Sequence, residues 1–264
     1  MSILLPAWMS CGIYQRNRSM NQEYDGIAEA YRDSKQLSFR KYIEEYTFFE
    51  ILGDIRGATV LDLACGEGFY TRKIVQAGAA EVTGVDLSAE MINLAEEEER
   101  IRPLGCKYLN RDVARLDMAE SVDVVVAMYL LNYARTKEEL LNFVQVAYNR
   151  LRLGGRFVGF NGNVQHVPRG TISFAQYGFD KVCTPAPEEG DVILYQMINE
   201  DGTQFEFKNY FLKPETYQWA FQKAGFSDFQ WVGPFIHPSQ QHNPFWDAFM
   251  SRPPLIGFSA SKQG

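Results

Sequence analysis

The sequence contains few cysteines and few histidines. Its four cysteines, Cys11, Cys65, Cys106 and Cys183, are too widely spaced for a zinc ribbon or a CxxC redox pair and too few for a disulfide scaffold. We interpret them as reduced thiols of a cytoplasmic protein. None of the three histidines stands at ligand spacing to another histidine or to a CxxC pair. The sequence therefore predicts no metal site.

The sequence also lacks a Lys/Arg run and a long apolar segment. Its formal net charge is −7 over 264 residues. Nucleic-acid affinity comes largely from clustered cations, so we expect no nucleic-acid partner. The apolar start, residues 1–9, has no cationic region and is short for a signal peptide or a membrane span, so we expect no membrane association. We interpret residues 1–22 as an N-terminal extension and residues 23–264 as a single domain.

Short apolar runs alternate with helical patterns through the middle of the chain. Five such runs are predicted as strands: Thr59–Ala64, Glu81–Asp86, Cys106–Leu109, Val122–Met128 and Phe157–Phe160. Strands that alternate with helices need right-handed crossovers, which place a parallel sheet between two helical layers. The predicted fold class is α/β, with a doubly wound and mostly parallel sheet. Helical spacing of apolar residues within residues 23–56 adds two amphipathic helices before it.

The pattern changes after Asn161. Ile193–Ile198 and Phe205–Phe211 alternate like strands, and Glu200-Asp201-Gly202 between them is a strong hairpin signal. We therefore predict an insertion over residues 162–213 that contains a hairpin. A helix from Pro214 to Gly225 and two last strands, Phe226–Val232 and Leu255–Ala260, bring the central sheet to seven strands.

The predicted ligand site lies beyond the carboxyl ends of the first three strands, where the strand order of an open parallel sheet reverses. The turn Asp62–Gly68 has small residues that let a ligand approach the backbone, and the next helix offers free N–H groups to a carboxylate. Asp86 ends the second strand, and its two oxygens can accept both hydroxyls of a ribose. Asp112 follows the third strand and is placed to accept a hydrogen bond from an adenine amino group.

These segments resemble the class I S-adenosylmethionine-dependent methyltransferases. The resemblance lies in VLDLACGEGFYTR at residues 60–72, in GVDLSAEMI at residues 84–92 and in the DV at residues 112–113. A leading YDxIAxxY segment at residues 24–31 is similar, more loosely, to small-molecule N-methyltransferases of the toxoflavin-forming type. The resemblance implies a Rossmann-like methyltransferase fold with an antiparallel last strand, and S-adenosyl-L-methionine as the cofactor.

The resemblance also implies cofactor-binding residues. In that family the glycine-rich turn holds the methionine part, the acid after strand two holds the ribose, and the next residue packs on adenine. Those roles fall on Asp62, Ala64, Gly66 and Gly68, on Asp86, and on Leu87 with Met91. Ala64 stands where a glycine is often found. The remaining cofactor-binding candidates are Tyr24, Tyr31, Arg40, Asp112, Val113, Met128 and Tyr133, with residues 23–56 as a helical lid. Packing of Tyr24 and Tyr31, capping by Asp62 and a solvated Arg40 are the structural alternatives.

The expected reaction needs alignment more than acid–base chemistry. A donor sulfonium already makes its methyl group electrophilic, so positioning and water exclusion carry most of the rate. No Asn/Asp-Pro-Pro-Tyr/Phe motif follows the fourth strand, where the chain has Met128 to Leu131. With the acidic charge, this predicts O- or N-methylation of a small aromatic or heterocyclic metabolite. The candidate catalytic residues are His166 as a base, with Tyr177 and His237 in the same cavity.

Two other functions stay open at this stage. Gly66-x-Gly68 followed by Asp86 also fits an NAD-dependent oxidoreductase, although Thr71 stands where that fingerprint has its third glycine. A non-catalytic protein of methyltransferase fold would bind the donor without releasing S-adenosylhomocysteine. Binding of each cofactor and release of the product distinguish the three.

Overall fold

The computed structural model describes residues 26–118, 121–166 and 170–263, so the predicted extension 1–22 and Tyr24 lie outside the described residues. Within these ranges the strands are β1 (Thr59–Leu63), β2 (Glu81–Asp86), β3 (Lys107–Asn110), β4 (Val122–Met128), β5 (Leu151–Gly162), β6 (Thr171–Phe174), β7 (Phe179–Val182), β8 (Val192–Ile198), β9 (Gln204–Tyr210), β10 (Gln230–Val232) and β11 (Leu255–Ser261). The α-helices are α1 (Ala28–Asp33), α2 (Tyr46–Leu52), α3 (Phe69–Gln76), α4 (Ala89–Ile101), α5 (Lys137–Arg150), α6 (Pro214–Ala224) and α7 (Asp247–Ser251). A π-helix spans Arg40–Glu45, and 3-10 turns lie at Ser34–Gln36, Val113–Arg115, Leu130–Tyr133, Ala175–Tyr177, Pro238–Gln240 and Pro244–Trp246.

The central sheet has the strand order β10-β11-β5-β4-β1-β2-β3. β1 pairs in parallel with β2 and β4, while β11 is antiparallel to both of its neighbours. This confirms the predicted seven-stranded, mostly parallel sheet with an antiparallel last strand. The chain leaves β1 toward β2 and later returns to its other side with β4, so the strand order reverses at β1. The carboxyl ends of β1, β2 and β4 therefore border the crevice where a ligand binds in such sheets.

A second sheet packs over one face of the first. Its strands form an antiparallel meander in the order β6-β7-β8-β9, so the predicted hairpin β8–β9 is half of a larger unit. The strands β6 and β7 were not predicted, because four residues are too few to establish an alternating pattern. The buried faces of this sheet and of the segment before β1 share one apolar core with Val60, Val124 and Val158 of the central sheet.

The helices α5 and α6 cover the other face of the central sheet. Alternate residues of β4 serve the two cores, with Val124 and Val126 on the meander side and Val125 and Ala127 on the helical side. β5 begins at Leu151, six residues before the predicted Phe157, because α5 ends without a connecting loop. Among the described residues, no helix is long and apolar enough to cross a membrane.

Candidate active site

The carboxylate at the end of β2 holds the turn after β1. Asp86 Oδ2 accepts a hydrogen bond from the backbone N–H of Gly66 at 2.8 Å, and Oδ1 accepts one from the N–H of Ser88 at 2.9 Å. Burial raises the pKa of Asp86 to about 6, and the two hydrogen bonds oppose that rise. The carboxylate therefore points at the glycine turn, on the side where the crevice opens.

Three residues of the turn adopt the left-handed backbone conformation. The backbone angle φ is 59° at Ala64, 56° at Gly66 and 80° at Gly68. At Ala64 this conformation costs about 1 kcal/mol relative to glycine. A Cβ built on Gly66 would have Met91 Sδ, at 4.0 Å, as its nearest neighbour outside the adjoining residues. The space above Gly66 is therefore open, and its backbone is accessible to a ligand.

Two carboxylates near the turn have an oxygen without a donor. Asp62 Oδ2 accepts a hydrogen bond from Thr71 Oγ1 at 2.7 Å, but Asp62 Oδ1 and Glu67 Oε1 are buried with no partner among the described residues. Burial raises the pKa of Asp62 to about 7, against the effect of the Thr71 hydrogen bond. Buried polar atoms are normally satisfied, so a ligand that carries N–H or O–H donors fits this place.

The ring of Tyr108, in β3, packs against the backbone of the turn and of β2. A Cβ on Gly68 would overlap the Tyr108 hydroxyl, and a Cβ on Gly84 would lie 2.8 Å from Cys65 Sγ and 3.0 Å from Tyr108 Cδ1. Glycine at both positions lets the ring approach the backbone. No local pattern in the sequence indicates Tyr108, because the residues that it contacts, Gly68 and Gly84, are distant from it in the chain.

A hydrogen-bonded network around a buried ion pair connects the segment before β1 to the end of β4. Arg40 Nη1 lies 3.0 Å from Glu44 Oε2, Tyr70 donates to Glu44 Oε1 at 2.7 Å, and Tyr129 donates to Glu44 Oε2. Burial acts to raise the pKa of Glu44, but the Arg40 guanidinium and the two hydroxyls hold it below its usual value. This network fixes the Tyr129 side chain at the edge of the crevice.

An aromatic cavity lies between this network and the small sheet. Two of its lining residues, Arg40 and Asn209, are polar. The others carry rings or long apolar side chains: Tyr31, Phe39, Tyr129, Tyr133, Phe179, Tyr195, Met197, Phe207 and Leu255. Tyr129 has φ of 70°, so the chain turns sharply at the end of β4. The aromatic cavity therefore stands next to the carboxyl end of a strand that borders the crevice.

A second cavity lies beside the first, and we call it the Lys181 cavity. Tyr195 and Asn209 line both cavities. The Lys181 cavity is also lined by Asn132 and by His166, the predicted base. The aromatic cavity near β4 thus has mostly aromatic and apolar walls, whereas the Lys181 cavity contains buried polar groups.

Comparison with known proteins identifies the domain. Residues 60–155 match the methyltransferase-domain family. These residues, about a third of the chain, therefore carry a methyltransferase domain. It is similar to the ubiquinone biosynthesis O-methyltransferase of Coxiella burnetii, at 26% identity over 171 residues, 58% of this chain and 69% of that protein. It is also similar to the tRNA U34 carboxymethyltransferase of Idiomarina loihiensis, at 27% identity over 111 residues, 40% of this chain and 33% of that protein.

The fold of the methyltransferase domain also matches solved structures. An S-adenosylmethionine-dependent methyltransferase from Clostridium acetobutylicum superposes with a TM-score of 0.62 over 94% of this chain and 99% of that one, at 16% identity. This likeness concerns the fold. The matches to curated relatives span between 33% and 69% of their lengths. The predicted fold class is confirmed, and the methyltransferase-domain match over residues 60–155 supports the predicted family.

The methyltransferase domain brings most of the predicted cofactor residues to the crevice or to its wall. The turn residues, Asp86 and Met91 lie together, while Tyr31 and Tyr133 line the aromatic cavity. Leu87 is half-buried beside them, and its carbonyl accepts a hydrogen bond from Asn110 Nδ2 at 2.8 Å. Asp112 caps a 3-10 turn by accepting from the N–H of Ala114 at 2.9 Å. Val113 and Met128 are buried in the two cores.

Three predictions need correction. Arg40 is buried against Glu44 and donates to Ser34, so its guanidinium is engaged inside the protein and does not reach out to a donor carboxylate. Tyr177 is buried: its hydroxyl donates to the carbonyl of Phe245 at 2.8 Å and stabilises the fold. His237 is exposed, accepts from the N–H of Ser239 and caps a 3-10 turn outside both cavities. Of the three catalytic candidates, His166 alone lines a cavity of this site.

Proposed function

We propose that this chain transfers a methyl group from S-adenosyl-L-methionine to an oxygen or nitrogen of a small aromatic or heterocyclic metabolite. The methyltransferase domain supports the donor, and the aromatic cavity supports the class of acceptor. The observation that carries the acceptor class is the ring-lined cavity beside the end of β4. Planar molecules bury well against such rings.

The residues present fit the cofactor. The ionised Asp86 carboxylate has lone pairs beyond its two backbone bonds, which would accept the ribose hydroxyls. The N–H groups at the start of α3 would bind the carboxylate of the methionine part, and the unpartnered Asp62 Oδ1 would accept from its ammonium group. When bound, the sulfonium supplies an electrophilic methyl group, so the chain has to supply alignment and exclusion of water.

Tyr129 and Tyr133 would orient the acceptor. Both line the aromatic cavity, and the Tyr129 hydroxyl is fixed by Glu44. Its rigidity favours a single alignment of the acceptor with the donor. His166 remains the proposed base for acceptors that are protonated at working pH, since it is exposed at the Lys181 cavity. The absence of a nucleic-acid substrate and a cytoplasmic location remain predictions.

The test separates cofactor binding from turnover. Calorimetric titration of the purified protein with S-adenosylhomocysteine is expected to give binding, and NAD is expected to give none. Release of S-adenosylhomocysteine is then measured against libraries of phenols, hydroxylated heterocycles and aromatic amines, with bulk tRNA as a separate arm. Binding without release from any acceptor would favour a non-catalytic protein, and release with tRNA alone would refute the small-molecule acceptor.

A further inference from the structure

The Lys181 cavity contains a buried amino group with no carboxylate partner among the described residues. Lys181 of β7 is 6% exposed, and its Nζ donates to the carbonyl of Pro254 at 2.6 Å and lies 4.9 Å from the centre of the Tyr195 ring. Among the described residues, no ion pair joins it to a carboxylate. Since an ammonium group has three donors, two N–H bonds remain for another partner. A buried charge in this condition is costly unless a ligand pairs with it.

Two buried amides in the same cavity are incompletely satisfied. Asn132 is 4% exposed; its Oδ1 accepts from the N–H of Gly162 at 3.1 Å, and its Nδ2 has no partner in the described parts of the chain. Asn209 is also 4% exposed, and no donor among the described residues forms a hydrogen bond with its Oδ1. Native structures rarely leave such atoms unsatisfied, and clusters of them indicate a ligand.

These groups converge at Gly162. A Cβ built on this residue would lie 2.9 Å from Tyr195 Oη, 3.6 Å from Asn132 Oδ1 and 3.9 Å from Lys181 Nζ. The φ angle of Gly162 is not in the left-handed region, so the backbone does not require glycine there. The missing side chain instead lets Tyr195 Oη approach the backbone, so that the polar groups surround this one position.

We propose that Lys181 and Asn132 form a subsite that binds an anionic oxygen of the methyl acceptor, either a carboxylate or a phenolate. An unpaired ammonium and an amide N–H complement an oxyanion in both charge and donor geometry. Asn209 Oδ1 would accept an adjacent O–H or N–H of the same molecule. Because Tyr195 and Asn209 also line the aromatic cavity, a ring there could place its anionic substituent in this subsite. The inference rests on the proposed function and specifies its acceptor.

The surrounding charges agree with an anionic ligand. Four titratable or charged groups line the cavity with Lys181: His166 after β5, Tyr195 of β8, Tyr210 of β9 and Arg252 before β11. The Cys183 thiol, directly after β7, is the nearby titratable group on the segment of Lys181 itself. Carboxylates are absent from this lining in the described part of the chain. Burial lowers the pKa of Lys181 to about 7, so at pH 8.5 the free protein holds it largely as a neutral amine.

The two kinds of oxyanion differ in their proton balance. Benzoate arrives as an anion, so its binding at pH 8.5 draws about one proton from the buffer onto Lys181. Phenol has a pKa near that of tyrosine, about 10, and arrives neutral. Its O–H bond breaks, the proton passes to the Lys181 amine, and the phenolate pairs with the ammonium. No net proton uptake accompanies this second reaction.

The experiment titrates the protein saturated with S-adenosylhomocysteine with benzoate, phenol and the neutral analogue benzamide, in buffers of different ionisation enthalpy at pH 8.5. We expect the wild type to bind benzoate or phenol at least tenfold more tightly than benzamide. Tighter binding of benzoate than of phenol, with proton uptake, identifies the carboxylate, whereas tighter binding of phenol without uptake identifies the phenolate. Lys181→Met should bring both anions within about twofold of benzamide and abolish uptake, and Gly162→Ala should weaken them by displacing the Tyr195 hydroxyl and the polar groups beside it. Lys208→Met, an exposed change on the same small sheet, is the matched control.

The outcomes separate the subsite from the methyltransferase function. Equal affinities for benzoate, phenol and benzamide in the wild type, or a preference that survives Lys181→Met, would overturn the subsite. Binding of S-adenosylhomocysteine by both variants shows that they fold, so a loss of oxyanion preference then supports the subsite. If the wild type does not bind S-adenosylhomocysteine, the proposed function fails, and the same anion titrations without it still decide the subsite.

Discussion

The Arg40–Glu44 ion pair provides a direct test of how the segment before β1 is held. Their side chains are 5% and 0% exposed, and Glu44 also accepts hydrogen bonds from Tyr70 and Tyr129. Glu44→Gln removes the counter-charge of Arg40 without changing the size of the side chain. Loss of one partner of a buried ion pair costs about 3–5 kcal/mol. We therefore expect the free energy of unfolding to fall by about that amount.

The assay is urea unfolding followed by tryptophan fluorescence and circular dichroism, with the free energy extrapolated to water. Glu81→Gln is the matched control, because Glu81 pairs with Lys107 at 3.1 Å with both side chains more than half exposed. An exposed pair contributes little, so this variant should unfold like the wild type. A loss below about 1 kcal/mol for Glu44→Gln would refute the reasoning.

Two further readouts strengthen this test. In the double variant Arg40→Met/Glu44→Gln, the second change removes the charge stranded by the first, so its loss should be smaller than the sum of the single losses. The pKa of Glu44 lies below its usual value. Its contribution to stability is complete above the unfolded pKa, about 4.3, and is lost as the pH falls through the lower folded pKa. Glu44→Gln should therefore reduce the acid-dependent loss of stability below about pH 4.3.

The remaining predictions concern the crevice and the proposed base. Asp86→Ala should weaken S-adenosylhomocysteine binding at least tenfold by calorimetry, and wild-type binding should weaken below about pH 6 as Asp86 gains a proton; unchanged affinity would contradict its role. Gly68→Ala should lower the unfolding free energy by about 1–3 kcal/mol, since it adds both strain and overlap, whereas Gly105→Ala, with positive φ and no neighbour within 4 Å, should lower it less. His166→Ala should retain cofactor affinity and reduce turnover by about 10² at pH 7, and full turnover at every pH would remove the proposed base.

The sequence predicted the elements of the central sheet well, because burial on both faces leaves a continuous apolar run. Glu81–Asp86 and Val122–Met128 were predicted with the bounds that the structure has. The strands β6 and β7 were missed, because each presents only two side chains to either face. The end of the sheet was also misjudged: the strand predicted from Phe226 begins at Gln230, since Phe226 and Phe229 pack under α6.

The site was predictable where its residues are close in the chain. The glycine turn and Asp86 follow buried strands directly, so their pattern is visible in the sequence. The contact between Glu44 and Tyr129 joins residues 85 positions apart, and no local pattern indicates it. The spacing of four between Arg40 and Glu44 was the available signal for that ion pair. Lys181 was missed because a single lysine in a strand-like run gives no indication of its burial.

Backbone strain marks both sides of the crevice. Ala64 and Tyr129 are the residues other than glycine that adopt positive φ within the described ranges, and they stand at the carboxyl ends of the adjacent strands β1 and β4. Such conformations persist where the surroundings fix them, as the N–H of Tyr129 is fixed by the carbonyl of Phe160 at 2.8 Å and its hydroxyl by Glu44. A methyl transfer needs donor and acceptor held in line more than it needs a proton relay. Under the proposed function, rigid placement of these two strand ends would supply that alignment without a catalytic dyad.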